Sequence, residues 1–168
     1  DLNNAASFVR YTAIGENIRL ELSIGSISYT EDGSFSLPEQ IRPYLTHKSA
    51  IPELLISVNI PAGGEYKLKT ESHQIQTELS YSSEKGPGTA IVSLSKAYQI
   101  RDLRGIDVLV RPVQSKDGKL LISDKITIDL IREGGSQTAE SKQTRKLNPY
   151  FADIYRQHFI NFDYKYED

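Results

Sequence analysis

Most of this chain alternates between apolar and polar residues with a period of two. That pattern leaves few folds open. Ile18-Arg19-Leu20-Glu21-Leu22 is apolar on one face and charged on the other, and Tyr66-Lys67-Leu68-Lys69 and Ile126-Thr127-Ile128-Asp129-Leu130 repeat the pattern. Each reads as a strand packed on one side and wet on the other. Gly15, Gly25, Gly33, Gly63-Gly64 and Gly86-Pro87-Gly88 interrupt the runs at short intervals. Many short strands with frequent turn signals point to antiparallel sheets, not to βαβ units. The expected fold is therefore all-β: an antiparallel β-sandwich, jelly-roll-like, with a short C-terminal helix.

Three local features refine this picture. Asp117-Gly118 is the clearest turn, because Gly tolerates positive φ in tight hairpins; Ile106 to Pro112 runs into it and Leu120 to Ile131 leaves it. Leu54 to Ile60 is almost continuously apolar and reads as a central strand covered on both faces. Pro52 and Pro61 bracket it, where a missing donor is harmless. Arg101-Asp102-Leu103-Arg104-Gly105 reads as a charged corner before a strand, with Gly105 permitting the bend.

The character changes at Glu133. Gly134-Gly135-Ser136-Gln137-Thr138 and the charged residues after it have little to bury, so 133–146 reads as a linker. A helix is expected next, with Asn148 as N-cap and Pro149 at its first position. Phe151, Ile154, Tyr155 and Phe159 fall at helical spacing and form a docking stripe. Its counterpart is either the sandwich or another protein. The expected organisation is a sandwich over 1–132, the linker, then helix and tail over 147–168.

The 168 residues suffice for one domain with a real core. The formal net charge is -2 with both signs interspersed, which is no nucleic-acid footprint. Cysteine is absent, which excludes a thiolate nucleophile and a cysteine metal site. His47, His73 and His158 lack ligand-like spacing and read as structural histidines. No Gly-x-Ser-x-Gly elbow or phosphate loop is present. The chain is expected to be non-catalytic, without cofactor or metal. No apolar run reaches the ~18 residues of a membrane span. Ten tyrosines leave room for a free-standing adhesion or carbohydrate-binding module, but tryptophan is absent and tyrosine is a good strand former.

The order of motifs from Ser93 onward resembles the N-terminal propeptide of gingipain-type cysteine peptidases. Ile100 to Gly105 is similar to that family's Ile/Leu-Arg-Asp-x-Arg-Gly corner. A strand to Pro112, a turn, a β-rich run from Leu120 to Leu130 and an aromatic helix from Pro149 to Phe162 follow in the family's order. Upstream, Ile51-Pro52-Glu53-Leu54-Leu55 is similar to the family's Pro-x-Leu-Pro strand, with Leu55 replacing its second proline.

The resemblance implies a β-sandwich made in front of a caspase-like catalytic domain, which is the expected partner. Such propeptides assist folding and occlude the active site until proteolysis. The cysteine–histidine dyad would lie outside this chain. The precursor would be secreted or cell-surface, exported through the bacterial periplasm. The family's peptidases cleave after Arg or Lys, so a basic side chain is expected in the specificity pocket. Lys85, at the Gly86-Pro87-Gly88 tip, is the first candidate, and Arg104 and Arg101 follow. The inhibitory members carry a long loop where this chain has only Glu78 to Val92. Either the compact tip blocks the site, or the domain serves mainly in folding and docking. Basic cleavage sites are available at Arg145 and Lys146 before the helix and at Lys165 after it; Lys165 is favoured because the resembling propeptides end after the aromatic helix.

Overall fold

The computed structural model describes residues 6–30, 34–46, 51–61, 63–80, 90–133 and 149–162. Eleven strands occur among them: β1 (Phe8–Ile14), β2 (Asn17–Ser23), β3 (Ser28–Tyr29), β4 (Phe35–Ser36), β5 (Leu54–Ile60), β6 (Glu65–Ser80), β7 (Val92–Leu94), β8 (Tyr98–Ile100), β9 (Leu103–Val110), β10 (Val113–Lys116) and β11 (Lys119–Glu133). One helix, α1 (Pro149–His158), follows them.

The first sheet is organised by β11. β2 pairs with its Lys125–Leu130 half and β10 with its Lys119–Ile122 half, while β6 runs antiparallel along the other side. β1 completes this sheet beyond β2. The second sheet is organised by β9, which carries β5 on one side and β7 and β8 on the other. β3 and β4 form a small separate hairpin.

The alternation seen in the sequence becomes the core. Leu20 lies opposite Ile128 and Leu22 opposite Ile126 across the β2–β11 ladder. Leu54, Ile56, Val58 and Ile60 of β5 meet Ile106, Val108 and Val110 of β9, and both sets join the first sheet in one buried cluster. Arg19 and Asp129, between those apolar positions, point outward and bond each other at 2.7 Å. The result is a two-layer antiparallel sandwich.

Three local expectations need correction. β5 is an edge strand, since it pairs with β9 alone among the strands. Its continuous apolar run has a different cause: the even-numbered residues face the core, while Ser57 on the opposite face is buried under the C-terminal segment. The strand expected from Ile106 to the Asp117-Gly118 turn is interrupted. β9 ends at Val110, and β10 begins at Val113 in the other sheet. Pro112 cannot donate to a ladder, and the crossover falls there. The turn itself is as expected: Asp117 has φ 52° and Gly118 φ 76°. The bend before β9 belongs to Arg101, whose φ is 53°, and not to Gly105.

Gly105 has another cause. A β-carbon there would stand 2.6 Å from Cε1 of Phe159 and 2.8 Å from the Tyr98 ring. The missing side chain lets the helix segment approach the sheet.

Candidate functional site

The outer face of the second sheet is where sequence-distant polar groups converge. Ser57 of β5 lies directly opposite Asp107 of β9, and Tyr98 of β8 opposite Gly105. The Ser57 hydroxyl donates to Asp107 Oδ1 at 2.8 Å, and the Tyr98 hydroxyl donates to the same oxygen at 2.5 Å. The Asp107 amide donates to Ser95 Oγ at 2.9 Å. With its proton committed to Asp107, Tyr98 accepts from His158 Nε2 of α1 at 2.8 Å. Burial, then the bond to Asp107, push the Tyr98 hydroxyl well above the usual tyrosine range, so it stays a donor.

This cluster contains a serine, a histidine and an aspartate, yet it is not wired for nucleophilic catalysis. The serine donates to the carboxylate, and the histidine bonds the tyrosine. A nucleophile needs its base within hydrogen-bond reach, with that base oriented by a third group. What the arrangement does is fasten α1 to the sheet.

α1 lies over that face. Ala152, Tyr155 and Phe159 are buried, at spacings of three and four. Phe151 is half-buried, while Ile154 is 52% exposed and Tyr150 85%. Ile154 sits one position from Tyr155, so it turns about 100° away from the buried line. Ala152 takes the inward place that the stripe gave to Ile154.

The chain after α1 stays on the sheet. The Ile160 amide donates to the Ser57 carbonyl at 3.0 Å. The Asn161 side chain accepts from the Asn59 amide at 2.7 Å and donates to the Asn59 carbonyl at 2.8 Å. Ile160 and Asn161 thus supply on the open edge of β5 the bonds a neighbouring strand would supply. No periodicity announces this clamp, because it uses one side chain outside any regular element.

The basic candidates separate. The Arg101 guanidinium lies 3.7 Å from the centre of the Phe151 ring, a cation–π contact joining the corner to α1. Arg104 Nη1 donates to the Gly64 carbonyl at 3.1 Å, so it ties β9 to the turn before β6. Lys85, Arg145, Lys146 and Lys165 lie outside the described residues, as do His47, Asn148 and the expected linker from 134 onward, while Glu133 still belongs to β11. His73 bonds Asp124 at 2.7 Å. Among the described residues no group of three or more His, Cys, Asp or Glu could hold a metal ion, and no helix is long and apolar enough to cross a membrane.

The architecture defines a class: an antiparallel two-sheet sandwich whose outer face is covered by one C-terminal helix. Two solved structures share it. A chain in the complex of Porphyromonas gingivalis RgpB pro- and mature domains matches 92% of this chain over 97% of its own length, at 17% identity and a TM-score of 0.69. A chain from the structure addressing zymogenic latency of gingipain K from Porphyromonas gingivalis matches 79% of this chain over 96% of its own, at 13% identity and a TM-score of 0.58. No family model and no curated protein matches the sequence. The shared property is the fold.

Proposed function

We propose that this chain is the propeptide of a gingipain-like cysteine peptidase. It assists folding of the catalytic domain and holds it latent by docking on it. The observation that carries this reading is the fold shared, nearly end to end, with a chain of the RgpB pro- and mature-domain complex. The motif order from Ile100 to Gly105 and on to the aromatic helix supports it independently, since that resemblance is one of sequence.

Two sheets locked by a helix form a rigid body, which suits an inhibitor: little conformational entropy is lost on docking. Lys85 falls between β6 and β7 and is the first candidate for the basic-specific pocket. The chain contributes no catalytic group, and the peptidase dyad belongs to the partner. The precursor is exported to the cell surface or beyond. Processing at Lys165 leaves α1 on the propeptide, and the buried Tyr155 and Phe159 favour that outcome, because transferring α1 to the enzyme requires pulling both out.

The test is to titrate the purified chain against the cognate mature catalytic domain and, separately, to refold the denatured catalytic domain with and without it. Saturable inhibition and a higher refolding yield are expected. The absence of both inhibition and improved refolding overturns the reading.

A further inference from the structure

β6 is an edge of the first sheet: among the described residues it pairs with β11 alone. The Arg132 amide donates to Asn17 Oδ1 on the β2 side at 2.9 Å, so the even-numbered residues from Ile126 to Arg132 turn their backbone groups toward β2. The odd-numbered residues from Lys125 to Ile131 turn theirs toward β6, where they meet His73, Glu71, Lys69 and Lys67. Tyr66, Leu68, Thr70 and Ser72 therefore direct amide and carbonyl outward, and among the described residues no hydrogen bond reaches those groups. Unpaired backbone groups on a sheet edge are a template for an added strand.

Edges are commonly guarded by prolines, bulges or unopposed charges. Tyr66 to Ser72 holds no proline, and the bulge beside it in this ladder lies in β11, between Ser123 and Lys125. The side chains from Lys69 to Ile75 are exposed, so neither face is covered there. Lys69 lies opposite Asp129, which Arg19 already engages, and Glu71 opposite the uncharged Thr127. This stretch is complementary to itself. In an antiparallel pair with its two-fold axis at Thr70, Thr70 meets Thr70 and Leu68 meets Ser72 as hydrogen-bonded pairs. Lys69 of each copy then stands opposite Glu71 of the other, at the closer, non-hydrogen-bonded positions. Sliding the pairing by two residues sets Glu71 against Glu71 or Lys69 against Lys69, so charge selects the register centred on Thr70.

We propose that the β6 edge is a self-association surface: a second copy of this chain adds its own β6 antiparallel, centred on Thr70, and joins the two first sheets into one. This inference does not depend on the propeptide reading.

The test combines sedimentation equilibrium of the full chain alone with NMR amide exchange. A monomer–dimer equilibrium is expected, and in the dimer exchange of the Leu68, Thr70 and Ser72 amides is expected to slow ~10-fold or more. Lys69→Glu turns two attractions into two repulsions and is expected to weaken the dimer ~10-fold or more. Adding Glu71→Lys to it restores both pairs and is expected to bring dimerisation back to within ~3-fold of the wild type. Thr70→Pro removes an outward amide without touching the β11 ladder and is expected to leave a monomer. A wild-type chain that stays monomeric up to about 1 mM overturns the proposal. A dimer whose strength neither Lys69→Glu nor Thr70→Pro changes overturns it as well. Protection of Leu68, Thr70 and Ser72 that appears only on adding the mature catalytic domain identifies the peptidase as the occupant and also overturns it.

Discussion

Phe159 occupies the space that any side chain at Gly105 would need: a β-carbon there would meet its Cε1 at 2.6 Å. The glycine that reads in the sequence as a bend is in fact a seat for the helix segment. Gly105→Ala must push Phe159 or Tyr98 aside. Overpacking of this kind costs about 1–3 kcal/mol. For a domain this size, the melting temperature is expected to fall by roughly 2–10 °C. An unchanged melting curve contradicts the close approach.

The two faces of α1 carry different weight. Phe159→Ala is expected to cost about 3–5 kcal/mol, as truncation of a buried aromatic does. Ile154→Ala, on the exposed side, is expected to stay within about 0.5 kcal/mol. Urea unfolding of the two variants separates them. Equal losses would mean that the helix does not bury the Tyr155–Phe159 line.

Asn161 replaces a strand neighbour for Asn59. Asn161→Ala removes two hydrogen bonds, worth about 0.5–1.5 kcal/mol each. Amide exchange at Asn59 is expected to accelerate, while Val58, whose groups face β9, stays protected. Unchanged exchange at Asn59 rules out the clamp.

Acid stability reports on Arg19 and Asp129. Hydrogen bonding to Arg19 holds the Asp129 carboxyl below its ordinary 3.8. A depressed folded pKa contributes stability above the unfolded value and loses it as pH falls through the folded one. Asp129→Asn removes this contribution, so its stability is expected to fall less steeply than that of the wild type from about pH 4 downward. Parallel acid profiles contradict the pairing.

Much of the sandwich is legible because alternation is a local signal. Ile18–Leu22 and Ile126–Leu130 show their buried faces without reference to their partners, and the ladder pairs those faces. Asp117-Gly118 marks its hairpin for the same reason. Sheet position is not local. Leu54–Ile60 looks central because a strand covered by core on one face and helix segment on the other has the same composition as a strand between two neighbours. The Ser57–Asp107–Tyr98–His158 cluster draws on four separate elements, and no spacing links them. The helical period places Tyr155 and Phe159 inward, but it cannot choose between Ala152 and Ile154 for the third position against the sheet: the smaller Ala152 is buried there and the more hydrophobic Ile154 stays exposed.

Inhibition of the cognate mature catalytic domain reports on the proposed docking of this fold on a peptidase. The wild-type chain is expected to inhibit saturably. Lys85→Ala is expected to raise the inhibition constant about 30-fold or more, the scale of a hot-spot residue. Arg104→Ala is expected to act mainly through stability, because its guanidinium already bonds the Gly64 carbonyl. No inhibition by the wild-type chain contradicts the blocking role, and unchanged constants for both variants contradict the basic-pocket contact.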